Sequence, residues 1–594
     1  MIDERVRLMR LLPLAGYGSL AGLLVLVVLI VLSGPALALL IGALVSGAVR
    51  GENVAWVLAG LLGVLLLSRL ARPLGDLVMT AATRRIDGAL RAVLRRTALG
   101  PSTIAHLEEA DFQDDALRAS EIGEGGWVRS AGTAAYSSVL LSGRVLAAGG
   151  SALLIAVWFP RLALFLFAAS LLSRALQRRQ WTFFVAFGDQ LSGGQRRLDY
   201  LDELAAGLEA AKEIRLFGLA DWLVMRRASA HWELRSPMWA LRRSILRRQG
   251  LAVLLSVMCA AGAFLVPGIA AASGTISVAT LATCLVAAFG IFEITFVGRE
   301  TFDIEYGKGA VEAVDRLTSR YGIRHDSGAA KLATIKTPAI CFDQVEFRYP
   351  RSERPILHGL DFTISPGEVV AIVGVNGAGK TTLTKLLAGL YEPTAGRILV
   401  DGHDLTICDV EAWRRRLSVV YQDFLRYPAT VRDNVILGAP EHPADDTAVR
   451  EAARRAGADW AGLPDGLDTQ LWRTGSGGRD LSGGQWQKLA IARTLYATAH
   501  GRDLIILDEP TAGMDVSAEI EFFEKVVSVA RADGVSVVLI SHRLSTIRNA
   551  DRIVVLEGGR ITESGSHEAL LAHGTGTYAR LWRLQASRFE EAAP

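Results

Sequence analysis

Apolar residues fall along this chain in two different rhythms. Up to about residue 298 they gather in long runs, six of which reach the roughly 20 residues that a helix needs to cross a bilayer core. These runs lie at about 15–48, 54–80, 131–158, 161–182, 249–271 and 276–298. The first is far too long for a signal peptide, and no clear cleavage signal ends it. A tight turn at Pro160 joins the third to the fourth, and the fifth meets the sixth at "AASGTIS". Two longer connections, about 81–130 and 183–248, mix charged and apolar residues with a helical period, which predicts helices continuing out of the apolar layer. Beyond a polar helix and linker through Asp303, Glu305 and Lys308, the rhythm changes. From about residue 338, short apolar runs bounded by Gly-rich turns alternate with amphipathic segments, the pattern of an α/β domain with buried strands.

Composition adds to this picture. Hydrophobic residues make up 51% of the 594, high for a soluble protein. A net charge of only +3 gives no footprint for a nucleic-acid partner. Fourteen Lys and Arg lie between Arg174 and Arg248, whereas the tight connections carry only Arg50 and Arg161. The positive-inside rule then puts both termini, the long connections and the α/β domain in the cytoplasm. Cys259, Cys284, Cys341 and Cys408 have neither metal nor disulfide spacing and read as free thiols in a reducing compartment.

The α/β region carries chemistry. "GVNGAGKTT", Gly374 to Thr382, fits G-x-x-x-x-G-K-[ST], with a buried strand "EVVAIV" before it and an amphipathic helix "TLTKLLAGL" after it. Glycines there let backbone N–H groups wrap a polyphosphate at a helix N-terminus. Lys380 would reach the β- and γ-phosphates, and Thr381 would hold Mg²⁺. "LIILDEP", Leu504 to Pro510, ends a buried strand on two carboxylates. Asp508 suits the Mg²⁺ shell, and Glu509 suits the general base for a water attacking the γ-phosphate.

With these motifs in this order, the chain resembles the ATP-binding cassette transporters, and specifically an exporter-type half-transporter. The resemblance implies a polytopic α-helical membrane domain with six transmembrane helices, fused to an α/β P-loop NTPase cassette with a helical subdomain. Expected boundaries are 1–320 for the membrane domain, 321–337 for a linker, 338–582 for the cassette and 583–594 for a tail. It implies ATP and Mg²⁺ as cofactors. Asn376, Gly377, Gly379, Lys380, Thr381 and Thr382 would line the phosphates, and Tyr349 in "FRYP" would stack on adenine. Gln422 in "VVYQDF" would join Thr381 and Asp508 around Mg²⁺, and His542 in "ISHR" would lie near the γ-phosphate. Ser482, Gly483, Gly484 and Gln485 of the signature "LSGGQWQK", with Asp515 in "TAGMD", would act on the partner's ATP, which implies a dimer of half-transporters, most simply a homodimer. Two departures touch communication between subunits. Ala512-Gly513-Met514-Asp515 replaces the usual small-Ala-Leu-Asp, and "TGSGGRD" lacks the Glu often found before the signature.

"LSGGQ" also occurs at Leu191 to Gln195. No strand or phosphate loop is near that copy in sequence, so it reads as a coincidence of letters, with a kink or loosening expected at Gly193 and Gly194, each costing about 1 kcal/mol in a helix interior. The resemblance assigns coupling helices to "PSTIAHLEEADFQDDAL" and "EIRLFGLADWLVMRR", with His106 to Phe112 and Phe217 to Trp222 at the tips. Arg69, Arg144, Arg174 and Glu293 fall at similar depth in the spans, and a polar belt lining a cargo cavity is one reading; snorkelling of the Arg stems is the other. The expected function is ATP-driven export of a small molecule or peptide across a bacterial inner membrane, most similar to exporters of lantibiotics and related peptides. With no peptidase region expected ahead of the first span, the cargo should not be processed. A siderophore-type importer on the same fold and a lipid or drug exporter remain open, as does a heterodimer.

Overall fold

The computed structural model describes residues 2–120, 130–189, 192–207, 210–295, 299–322, 337–458, 460, 462–472, 478–509, 516–541 and 543–590. The chain divides into two compact units, Met1–Ala98 with Asp114–Gly322, and Leu99–Gln113 with Ile323–Pro594. Residues 99–113 therefore group with the α/β region, although they lie inside the stretch 1–320 expected to form the membrane domain.

The first unit is helical. Helices Tyr17–Arg50, Ala55–Leu99, Ala131–Ala156, Pro160–Asp189, Gly250–Ala272 and Val278–Phe292 stand at the six predicted runs. Among the described residues, five helical stretches are long and apolar enough to cross a membrane. Pro160–Asp189, the fourth expected span, is helical throughout but is not one of the five. Arg174, Arg178 and Arg179 interrupt its apolar run. At the sixth run the helix gives way to a 3-10 turn, Glu293–Thr295, and a further helix, Arg299–Tyr321, follows. Small residues bring the helices together, as expected where close packing does the work of association. A Cβ on Gly42 would strike Thr283, and one on Gly290 would strike Ser151.

Helix Ser192–Ala206 packs on Ala220–Arg248 through Leu198, Leu201, Leu223, Ala230 and Leu234. Gly193 and Gly194, the expected place of a kink or loosening, lie in the helical stretch Ser192–Ala206. A Cβ on Gly194 would come within 2.8 Å of Leu234 Cδ1, so the contact between these helices accounts for that glycine.

The second unit is built on a six-stranded sheet in the order Arg560–Gly565, Arg552–Glu557, Val369–Val373, Ser536–Ile540, Leu504–Asp508, Leu417–Val420. All neighbours pair in parallel except the first two. Val369–Val373, Leu504–Asp508 and Ser536–Ile540 are buried along their whole length, which is why they read as unbroken apolar runs. A four-stranded antiparallel sheet, Leu357–Ile364, Ile340–Phe347, Ala395–Val400 and His403–Asp404, closes a second apolar core. Helices Val431–Ile436, Asp446–Arg455 and Gly483–Ala499 form a helical subdomain. The last helix, Thr577–Glu590, runs across the expected boundary at residue 582.

Leu99–Gln113 is part of this unit's fabric. Ile104 N donates to Leu390 O at 2.9 Å, Arg414 donates to Ser102 O, and the Tyr391 hydroxyl donates to Glu108 Oε1. Ile104 and Ala105 pack on the core beneath.

Candidate nucleotide site

The phosphate loop follows strand Val369–Val373 and runs into helix Lys380–Leu387. Gly374, Gly377 and Gly379 have φ of 159°, 81° and 105°. The last two lie in the region only glycine enters cheaply, and a Cβ on Gly374 would strike Leu556 O. Val375, Asn376 and Gly377 form an exposed crest, while Lys380 and Thr382 are buried. Lys380 Nζ donates to Gly374 O at 2.9 Å and to Val375 O at 3.3 Å, which lays its stem across the loop. Burial lowers its pKa, and the nearby Glu509 and Asp508 charges oppose that shift.

Asp508 ends its strand 3% exposed. Burial raises its pKa, with Glu509 adding to the rise; hydrogen bonds from Thr381 and Thr384 and the Lys380 charge work the other way. Thr384 Oγ1 lies 3.4 Å from Asp508 Oδ2. Glu509 holds φ of 48°, a strained value for a residue with a side chain, while its N–H donates to Ile540 O at 3.0 Å. Lys380, Thr381, Asp508 and Glu509 are thus brought together. The residues fit the expected cofactors: a glycine cradle at a helix N-terminus with a lysine suits a polyphosphate, and Thr381 and Asp508 supply the hard oxygen donors Mg²⁺ takes.

Sequence reading missed three neighbours. Thr384 is one; it lies one helical turn after Thr381, a spacing that could have revealed it. Tyr421 is another. Burial pushes its phenol up to about 12, Asp508 adding to the rise. Tyr391 is the third. It meets Tyr349 edge to face at 5.3 Å, and Phe347 meets both rings. Tyr349 itself, expected against adenine, has its hydroxyl 3.2 Å from Thr382 Oγ1, with Lys385 Nζ 5.6 Å from its ring centre. Gln422 is exposed beside Tyr421. His542 and Asp515 lie outside the described residues.

The second LSGGQ opens helix Gly483–Ala499. Ser482 caps it: Gln485 N donates to Ser482 Oγ at 3.3 Å, and Ser482 N donates to Gln485 Oε1 at 2.9 Å. Ser482 to Gln485 are exposed, whereas Leu481 and Trp486 on either side are buried. Trp486 Nε1 donates to Asp480 Oδ1 at 2.9 Å, fixing the segment from below. A Cβ on Gly483 or Gly484 would meet nothing within 4 Å beyond its own helix.

A family model described as "ABC transporter" matches residues 357–512. Over nearly the whole length, 96% of this chain and 98% of the other, the fold superposes on a bacterial Atm1-family ABC exporter solved with ATP bound, with a TM-score of 0.72 and 26% identity. Its fold is that of an ABC exporter. The chain is also 39% identical over 340 residues to the ATP-dependent lipid A-core flippase of Chromobacterium violaceum, 56% of each chain. It is 40% identical over 259 residues to the mycobactin import ATP-binding/permease protein of Mycolicibacterium thermoresistibile, 44% of this chain and 43% of the other. The matched stretches thus span about half the length of these curated relatives. The α/β unit is an ABC ATPase cassette, and the chain is a membrane protein with that cassette on the cytoplasmic side.

The two expected coupling tips differ. At the first, Phe112 is buried edge to face against His106 at 4.9 Å, and both are about 5% exposed. The Phe112 ring packs inside its own segment, and Ser102, Ile104, Ala105 and Glu108 make the contacts to the α/β core. At the second, Phe217 and Trp222 are 70% and 59% exposed.

The four residues of the expected polar belt do not share one environment. Arg69 and Glu293 are exposed. Arg144 Nη2 pairs with Glu300 Oε1 at 2.8 Å, not with Glu293. Arg174 Nη1 donates to Ile294 O at 2.9 Å and Nη2 approaches Thr301 Oγ1 at 3.4 Å. Arg178 adds a 2.8 Å pair to Glu305. A carboxylate or a backbone carbonyl is a cheaper partner for a guanidinium than lipid.

Proposed function

We propose that this chain is one half of an ATP-hydrolysing transporter that exports a small molecule or peptide from the cytoplasm of a bacterium by alternating access. Two copies form the working unit in the inner membrane, with both termini and the cassettes in the cytoplasm. Lys380 and the loop N–H groups hold the phosphates, and Thr381, Asp508 and Gln422 hold Mg²⁺, which supplies charge neutralisation when bound. Glu509 takes the proton of the attacking water, and His542 sits near the γ-phosphate. Tyr349 faces adenine. From the partner, Ser482 to Gln485 and Asp515 close the site. Phe217 and Trp222 dock on a cassette.

One observation carries this reading. The cassette assembles Lys380, Thr381, Asp508 and Glu509, and it also presents an exposed, capped helix N-terminus whose two glycines its own packing does not require. A helix N-terminus stripped of side chains suits an anion from outside the chain. Glu509→Gln tests it: ATP binding is retained and steady-state hydrolysis falls by roughly 100-fold or more, the scale of a lost general base. Near-normal turnover would remove Glu509 from that role.

A second reading is import on the same fold, supported by the likeness to the mycobactin importer. The direction of ATP-dependent movement in inside-out vesicles separates the two. The likeness to the lipid A-core flippase keeps lipid cargo beside peptide.

A further inference from the structure

The Tyr421 hydroxyl is buried and has no hydrogen-bond partner among the described residues. A phenol donor left unpaired in the interior costs stability, and phenylalanine would fill the same space without that cost. Its position gives the reason for keeping it. Strands Leu417–Val420 and Leu504–Asp508 pair in parallel, Leu417 with Leu504 through Val420 with Leu507. One further step along that register sets Tyr421 beside Asp508, at the end of the sheet where the phosphate loop and Glu509 also lie. Tyr421 directly precedes Gln422, and Asp508 is tied to Thr381 and Thr384 of the phosphate-loop helix. The unpaired donor is therefore set among the groups that would hold Mg²⁺.

We infer that the Tyr421 hydroxyl is a further positioning group of the Mg²⁺–nucleotide site, donating a hydrogen bond into the water layer that Asp508 orients around the ion. This rests on the ATP-driven reading above. It makes Tyr421 a residue whose hydroxyl serves the loaded site and not the fold. Deleting it separates the two roles, since Tyr421→Phe removes one oxygen and leaves the ring.

The test uses the full chain in lipid nanodiscs. Binding of a non-hydrolysable ATP analogue is measured with Mg²⁺ and with EDTA, together with thermal unfolding in the absence of nucleotide. In Tyr421→Phe the analogue's affinity in Mg²⁺ falls about three- to tenfold, the worth of one hydrogen bond. Its affinity in EDTA stays at the wild-type value, and the nucleotide-free unfolding temperature is equal or higher. In an Asp508→Asn background the same change has no further effect on affinity. Equal Mg²⁺ dependence in wild type and variant, an equal loss in EDTA, additivity with Asp508→Asn, or a lowered unfolding temperature would each overturn the inference. A wild-type chain that binds no analogue under any condition instead overturns the ATP reading of the whole site.

Discussion

The letters Ser-Gly-Gly-Gln occur at Ser192 and again at Ser482, and in both copies the two glycines are helical. In the first, Gly194 lies where a side chain would meet Leu234 of the neighbouring helix, so the packing of the chain on itself accounts for the residue. In the second, Gly483 and Gly484 have open space around them, and the residues on either side are anchored in the cassette core. A glycine that relieves a contact within its own chain needs no ligand to explain it. A pair of glycines exposed at a capped helix start, with Leu481 and Trp486 buried on either side, is better explained by something that arrives from outside.

The sharpest way to break this comparison is a matched pair of substitutions. Ser482→Arg should lower ATPase activity by roughly 100-fold or more, since it would block the anion contact proposed to be made across a dimer. Ser192→Arg should leave activity within about twofold. Loss of turnover in a folded Ser192→Arg protein would restore the first copy as a site.

A second pair should separate activity from stability in opposite senses. Gly484→Ala should cut ATPase activity about tenfold, the worth of a lost bond to a charged group. It should not lower the unfolding temperature, because alanine favours the helix by about 1 kcal/mol. Gly194→Val should do the reverse, destabilising the helical unit by about 1–3 kcal/mol through overpacking against Leu234, with specific activity of the folded fraction unchanged. Thermal unfolding and ATPase assays on the same samples would show whether the cross-over holds.

The smallest effect sharpens what supports the second copy. Trp486→Phe removes the bond to Asp480 and should cost about 1 kcal/mol of cassette stability. Because the signature would then be held less firmly, ATPase activity should fall a few-fold while nucleotide affinity of the isolated site is unchanged. Affinity falling in parallel with turnover would argue against a role in positioning the signature alone.

Much of the cassette was legible because its chemistry is written locally. Strand, phosphate loop and helix follow one another within Val369–Leu387, and the carboxylates sit at the end of an apolar run. What escaped depends on pairings distant in sequence. The proximity of Tyr421 to Asp508 comes from strand register, and the pairing of Arg144 with Glu300 comes from the packing of two helices. The belt reading chose Glu293 because depth along a span was countable; the direction of a side chain about the helix axis was not. Nor does the sequence give any sign that the Phe112 ring would meet His106 edge to face.

The segment Leu99–Gln113, which belongs to the cassette's fabric but precedes it in the chain, sets a timetable for synthesis. Glu108 and its partner Tyr391 are 283 residues apart. At about 5–20 residues per second, the segment waits roughly 15–60 s after leaving the ribosome before the surface it packs on exists. During that interval Ile104 and Ala105 have no cassette core to cover them. The helices of the first unit are all synthesised before the cassette can close on its own missing piece, so a ribosome that stalls within the cassette leaves this segment as an early, apolar mark of an unfinished chain.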